Sequence, residues 1–195
     1  MAAASERNQG VAMTSVAGNQ SSVEGYSGTA KLLHWVVAAC VLTMIPVGFL
    51  MNAVEAGVLQ NVLYTVHRSL GVLVLFLMSI RLIYRLVHGA PAPEPTLNAL
   101  QRIVSHLVHM ALYPLIIAQA LIGWVATSAY GAQISFFGLF TVPALVAKDE
   151  TLSKPLFEVH MLLAFTIAGL LAMHIGAALF HYFIRKDGVL QRMLP

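Results

Sequence analysis

The residues able to do chemistry in this chain are its eight histidines, set among 195 residues of which 58% are hydrophobic and 10% charged. Ionisable side chains inside a bilayer are costly and point to function by default. His160 and His174 share one long apolar run, residues 156–184, and stand fourteen positions apart. Fourteen residues are close to four α-helical turns, so both imidazoles leave the helix on nearly the same side, about 21 Å apart along its axis. A bilayer's hydrocarbon core is about 30 Å thick. One helix therefore presents an imidazole near each side of a membrane, the geometry needed to hold two metal centres stacked across it.

Their partners follow from depth. His34 begins the first apolar segment on the inner side, level with His174, and His67 begins the second on the outer side, level with His160. Two facing imidazoles can ligate a haem iron axially, with the porphyrin filling the bundle. Zinc fits less well, because its sites usually need three or four protein ligands at one depth. A porphyrin against a helix needs a small residue one turn from the ligand. At i+4 the four favoured histidines give Ala38, Gly71, Ala164 and Ala178, whereas His106 and His109 give Met110 and Tyr113. This contrast favours His34, His67, His160 and His174 as iron ligands. A lone histidine in such a helix would more often be a polar helix–helix contact.

Arg81 lies fourteen residues beyond His67, on the same face and at the inner level. It is a candidate anchor for a haem propionate, since guanidinium pairs carboxylates bidentately. The competing reading is an anchor among the headgroups. His181 continues the His160/His174 stripe inward, where a propionate or a quinone head would be met. His88, in the hinge, reads as a solvated surface residue.

The elements that position these groups are membrane helices. The mean hydropathy is +0.79, and soluble domains carry about 25% charged residues. Four segments, about residues 30–51, 62–87, 103–128 and 156–184, are each long enough to span. The hinge at residues 89–95, Gly-Ala-Pro-Ala-Pro-Glu-Pro, ends the second. Pro46 and Pro114 lie inside spans and are expected to kink them. The connection at about residues 129–155 begins too apolar for a free loop; with Pro143 it is expected to lie in the outer interface as a cap. Residues 1–28 lack an apolar signal core and read as a disordered cytoplasmic tail; residues 29–195 form the four-span domain. Arg7, Lys31, Arg81, Arg85, Arg102, Arg185, Lys186 and Arg192 fall on one side, eight of the eleven bases. That side is cytoplasmic by the positive-inside bias, with both termini on it. The basic balance therefore reads as topology and not as nucleic-acid binding. The single Cys40 excludes an internal disulfide and any cysteine-cluster metal site.

The order and spacing of several motifs resemble the bacterial cytochrome b561 family of four-helix dihaem membrane proteins. They are Leu33-His34-Trp35, His67-Arg68-Ser69-Leu70-Gly71 followed by Arg81 to Leu86, and His106 with His109. Gly123, Phe137-Gly138-Leu139 with Pro143, His160 and His174 follow. His181-Tyr182-Phe183-Ile184-Arg185-Lys186-Asp187 and the closing Arg192-Met193-Leu194-Pro195 complete the set. The resemblance implies an all-α bundle in the bacterial inner membrane, with two haem b groups on His34, His67, His160 and His174. It implies one-electron oxidation of superoxide outside and delivery to ubiquinone, with His181 in the quinone-contact region. Glu158, beside His160, would repel an anion, and Arg68, Lys148 and Lys154 would offset it by steering. A cytochrome b membrane anchor for a partner oxidoreductase would share the pattern, and a transporter with polar histidine contacts is a further alternative.

Overall fold

The computed structural model describes residues 25–194. The expected tail lies outside the described residues as far as residue 24. Four helices are long and apolar enough to cross a membrane: α1 (Gly28–Ala53), α2 (Val58–His88), α3 (Ala99–Tyr130) and α4 (Glu150–Phe180), the last continuing into a π-helical turn, His181–Arg185. Between α3 and α4 stands a small antiparallel hairpin, β1 (Ile134–Phe136) and β2 (Phe140–Val142).

The helices run past the apolar segments because polar caps extend them. The Ser27 hydroxyl accepts from the Ala30 N–H, Asn98 and Gln101 form a reciprocal capping box, and the Asp149 carboxylate accepts from the Thr151 and Leu152 N–H groups. Gly131 closes α3 in the left-handed conformation. α4 starts at Glu150, earlier than the apolar run, and carries Pro155 within its second turn. Pro46 and Pro114 sit inside α1 and α3 without ending them.

α1 packs on α2, α2 on α3 and α3 on α4, while α4 scarcely approaches the backbones of α1 and α2. The buried core, including Val37, Val41, Val74, Met78, Leu112, Ile116 and Ile167, ties the four helices together at mid-depth. Most other large apolar side chains face outward, as lipid-facing helices require.

The apolar stretch after α3 folds as the hairpin. Three residues, Phe137 to Leu139, connect the strands; the Leu139 N–H donates to the Phe136 carbonyl, and the two central residues of that turn, Phe137 at φ 49° and Gly138 at φ 77°, both have positive φ, the type I′ pattern. A phenylalanine in the left-handed region costs about 1–2 kcal/mol. Ser69 on α2, with no exposed surface, holds the turn: its hydroxyl donates to the Ser135 carbonyl at 3.0 Å and accepts from the Phe137 N–H at 2.9 Å. The hairpin is thus pinned two residues from His67, a cap over the outer end of α2.

The chain after the π-helical turn doubles back as a strap across the opposite end. Lys186 adopts the left-handed conformation there. The Arg192 carbonyl accepts from the Tyr26 N–H at 3.1 Å, and the Met193 carbonyl from the Trp35 indole at 2.8 Å. The Arg192 guanidinium donates to the Ala92 carbonyl and lies 3.9 Å from the buried Glu94 carboxylate. The hinge that broke α2 is therefore fastened to the start of α1 by the end of the chain.

Candidate functional site

The four histidines favoured by spacing meet in two pairs. The rings of His34 on α1 and His174 on α4 have their centres 6.1 Å apart and their planes 69° from parallel. Those of His67 on α2 and His160 on α4 are 6.2 Å apart and 75° from parallel. Both pairs bridge the gap between α4 and the α1–α2 half of the bundle.

Two metal–imidazole bonds of about 2 Å each, added to the ring radii, come to about 6 Å between ring centres. Both separations match a single metal ion held between each pair. The His160 ring has a fixed tautomer: its Nδ1 lies 3.1 Å from the Gln119 carbonyl, which only accepts, so Nδ1 carries the proton and Nε2 keeps a free lone pair. A ligand histidine is usually oriented by such a bond from its second nitrogen. Gln119 also donates its side-chain amide to the His160 carbonyl at 3.0 Å, so one residue of α3 holds both the ring and the backbone of His160.

Glycines shape the outer pair. A Cβ on Gly123 of α3 would come 2.8 Å from His160 Cε1, and one on Gly48 of α1 would come 3.1 Å from His67 Cε1. Each outer imidazole rests against the bare backbone of a neighbouring helix. The i+4 argument could not find Gly48, because the contact crosses helices.

The inner pair has a third imidazole that the i+4 argument set aside with His106. His109 lies 5.0 Å from His174, ring to ring, at right angles. Its Nδ1 sits 2.6 Å from the Ser105 carbonyl, so it too is held as donor. The separation is too short for a metal between them, so His109 stands beside the inner pair and not opposite a ligand. The signal in the sequence was the i, i+4, i+8 line Ser105, His109, Tyr113. His106, by contrast, is exposed on the outer face of α3.

Arg81 reaches the inner level as its spacing predicts. Its Nε donates to the Tyr113 hydroxyl at 3.2 Å and its charge acts on His34, His109 and His174. Arg81 Nη1 is buried with no hydrogen-bond partner among the described residues. Buried donors are nearly always satisfied, so this one fits a bound anion such as a propionate. The matched ring separations and this unpaired donor both fit a haem-type group between the histidines.

His181, next on the stripe, has a partner in the closing strap. It is 7% exposed, and its Nδ1 lies 2.6 Å from the Asp187 carboxylate. It stands where α4 passes into the π-helical turn, with its ring paired to the closing strap. His88 is exposed, and its ring stacks on Tyr84 at 4.0 Å.

Comparison with known proteins identifies the family. The sequence profile of the family described as prokaryotic cytochrome b561 matches residues 25–195. Cytochrome b561 homolog 2 of Escherichia coli (strain K12) is 32% identical over 172 residues, 88% of this chain and 92% of the relative. Cytochrome b561 homolog 1 of the same organism is 33% identical over 175 residues, 87% of this chain and 97% of the relative. A protein of Yersinia pestis named probable superoxide oxidase CybB is 31% identical over 130 residues, 67% of this chain and 73% of the relative. The chain belongs to the prokaryotic cytochrome b561 family, bacterial membrane proteins of electron transfer that bind b-type haem.

Proposed function

We propose that the protein is a dihaem b-type cytochrome of the inner membrane, and that it oxidises superoxide at the outer face and passes the electrons to ubiquinone. The observation that carries the haem count is the pair of equal imidazole separations, 6.1 and 6.2 Å, at two depths along α4. The choice of superoxide draws support from the Yersinia pestis relative's name. Both termini are assigned to the cytoplasm, because eight of the eleven bases fall on that side.

Bound haem supplies reversible one-electron chemistry at its iron. The residues of this chain do the rest. His67 and His160 hold the outer group, and His34 and His174 the inner one. Gln119 fixes the tautomer and orientation of His160. Arg81 offers its unpaired Nη1 to a propionate at the inner level. The hairpin pinned by Ser69 covers the outer end of α2.

Steering of an anion to the outer face falls mainly to Arg68. Its guanidinium lies over the Tyr64 ring at 5.1 Å, next in sequence to His67. Lys148 is tied to Glu150 at 3.3 Å, so its field is partly cancelled.

The test is stopped-flow spectroscopy of the purified protein. Superoxide should reduce both haems, and added ubiquinone should reoxidise them. A freshly purified protein without reduced b-type bands would end the dihaem reading. Stable co-purification of a partner oxidoreductase, with no response to superoxide, would favour an electron-transfer subunit instead.

A further inference from the structure

The outer and inner histidine pairs are oriented by different means. At the outer level the His160 ring is turned by the hydrogen bond from its Nδ1 to the Gln119 carbonyl. At the inner level the rings of His34 and His174 make no hydrogen bond among the described residues. The last side-chain torsion of a histidine has broad wells. Without such a bond, the plane of the ring is set by the groups that lie against it.

Two further rings lie against the inner pair. The Trp35 indole meets His34 with ring centres 5.4 Å apart and planes 76° from parallel. His109 meets His174 at 5.0 Å and 90°. Edge-to-face contact is a preferred arrangement of flat rings, because the edge carries positive charge and the face negative. Each of these two rings is itself tied to a backbone carbonyl. The Trp35 indole N–H donates to Met193 at 2.8 Å, and His109 Nδ1 donates to Ser105 at 2.6 Å. The Ser105 bond lies within α3, one turn from His109, so α3 alone fixes that ring. His109 is thus a plate placed by α3, against which α4 sets the His174 imidazole. Among the described residues, no third ring stands against His67 or His160 in this way.

We propose that His109 is a positioning residue of the inner centre: it holds the plane of His174, and with it the 69° angle between the His174 and His34 rings. This rests on the dihaem reading above. When iron is held between two imidazoles, the angle between their planes sets how far its d orbitals split. Groups outside the ligand set orient the ligands and tune the metal. His109 therefore governs the inner iron's electronic state without touching it. The role is separable from that of Arg81, whose Nε donates to Tyr113 and not to His109. It is separable from His106 as well, which is exposed on the outer face of α3.

The experiment is low-temperature electron paramagnetic resonance of the oxidised holoprotein, with haem per protein measured on the same samples. The inner signal is the one that His34→Ala removes. In His109→Ala the inner signal should shift or broaden, as the freed His174 ring settles at a new angle or spreads over several. The outer signal and the haem content should not change. His109→Leu fills the space without a flat ring and should act as the alanine variant does, so it serves if that variant folds poorly. His109→Phe restores a flat ring and should return the inner signal toward its original position. An unmoved inner signal in the alanine and leucine variants would overturn the proposal, as would a phenylalanine variant that resembles them. Equal shifts in both signals would overturn it too, by showing a general loosening of the bundle. Loss of the inner haem would make His109 a ligand or a requirement of the fold. An unsubstituted protein without b-type haem would end the dihaem reading and this proposal together, whereas an unmoved inner signal ends this proposal alone.

Discussion

His160 and Gly123 are in contact across the α3–α4 interface, so close that a Cβ on the glycine would stand 2.8 Å from the imidazole Cε1. The position of the His160 ring is therefore set by what α3 lacks. Gly123→Ala should push the ring from its place, at a cost of about 1–3 kcal/mol for overpacking. The expected outcome is loss of the outer haem with the inner retained, read as half the haem per protein. Gly48→Ala, with its looser 3.1 Å approach to His67, should do the same more weakly. Full haem content in Gly123→Ala protein would contradict the packing argument.

The pairing itself predicts a selective loss. Replacement of His67 or His160 by Ala should remove the outer haem, and replacement of His34 or His174 the inner one. Redox titration followed by absorbance distinguishes the two centres. Equal loss of both haems in a folded His67→Ala protein would mean that the pairs are wrongly drawn. His109→Ala should keep both haems, because its 5.0 Å distance from His174 leaves no room for a metal between them.

Imidazole planes 69° and 75° from parallel leave two iron d orbitals nearly equal in energy. Both oxidised haems should then give strongly anisotropic low-spin electron paramagnetic resonance signals with one large g value. Ordinary rhombic signals from both centres would mean that the rings turn toward parallel when iron binds.

Ser69→Ala should free the hairpin. The hydroxyl both donates to Ser135 and accepts from Phe137, so its removal leaves two buried backbone groups unpaired, at about 1–3 kcal/mol. The strained Phe137 turn would relax with it. Hydrogen exchange in residues 134–142 should rise sharply while that of α3 does not. Unchanged exchange would show that aromatic packing of Phe136 with Phe140, whose ring centres are 5.1 Å apart, holds the cap alone.

The strap has a built-in acid sensitivity. Burial works against the Asp187 charge, but the His181 hydrogen bond, the Val189 N–H and the nearby Arg185 outweigh it and hold the carboxyl below its ordinary value. A carboxyl depressed in the folded state contributes stability above its unfolded pKa, about 3.9, and loses it as pH falls through the lower folded value. Proteolysis of residues 187–194 should therefore stay slow near neutral pH and accelerate only in strong acid. Asp187→Asn should accelerate it at neutral pH and flatten the acid response. A pH-independent rate in the unsubstituted protein would remove Asp187 from this role.

The sequence by itself determined the membrane character, the four spans, and which four histidines meet in two pairs. Those follow from local rules: apolar length against bilayer thickness, and the helical period that puts His160 and His174 on one face. The same period carried Arg81 to the inner level. Local rules failed where contacts cross helices or where the period breaks. His109 was set aside for its bulky i+4 neighbour, yet the crossing of α3 and α4 puts it beside His174. Gly48 and Gly123 matter only through the rings they touch on other helices. The π-helical turn after Phe180 brings Asp187 back onto the His181 ring, a contact the α-helical period does not foresee. The cap after α3 was legible as apolar cover, but its hairpin form depended on a serine 66 residues away in sequence. Tertiary structure decided these points because each is a contact between segments that no periodicity within one segment encodes.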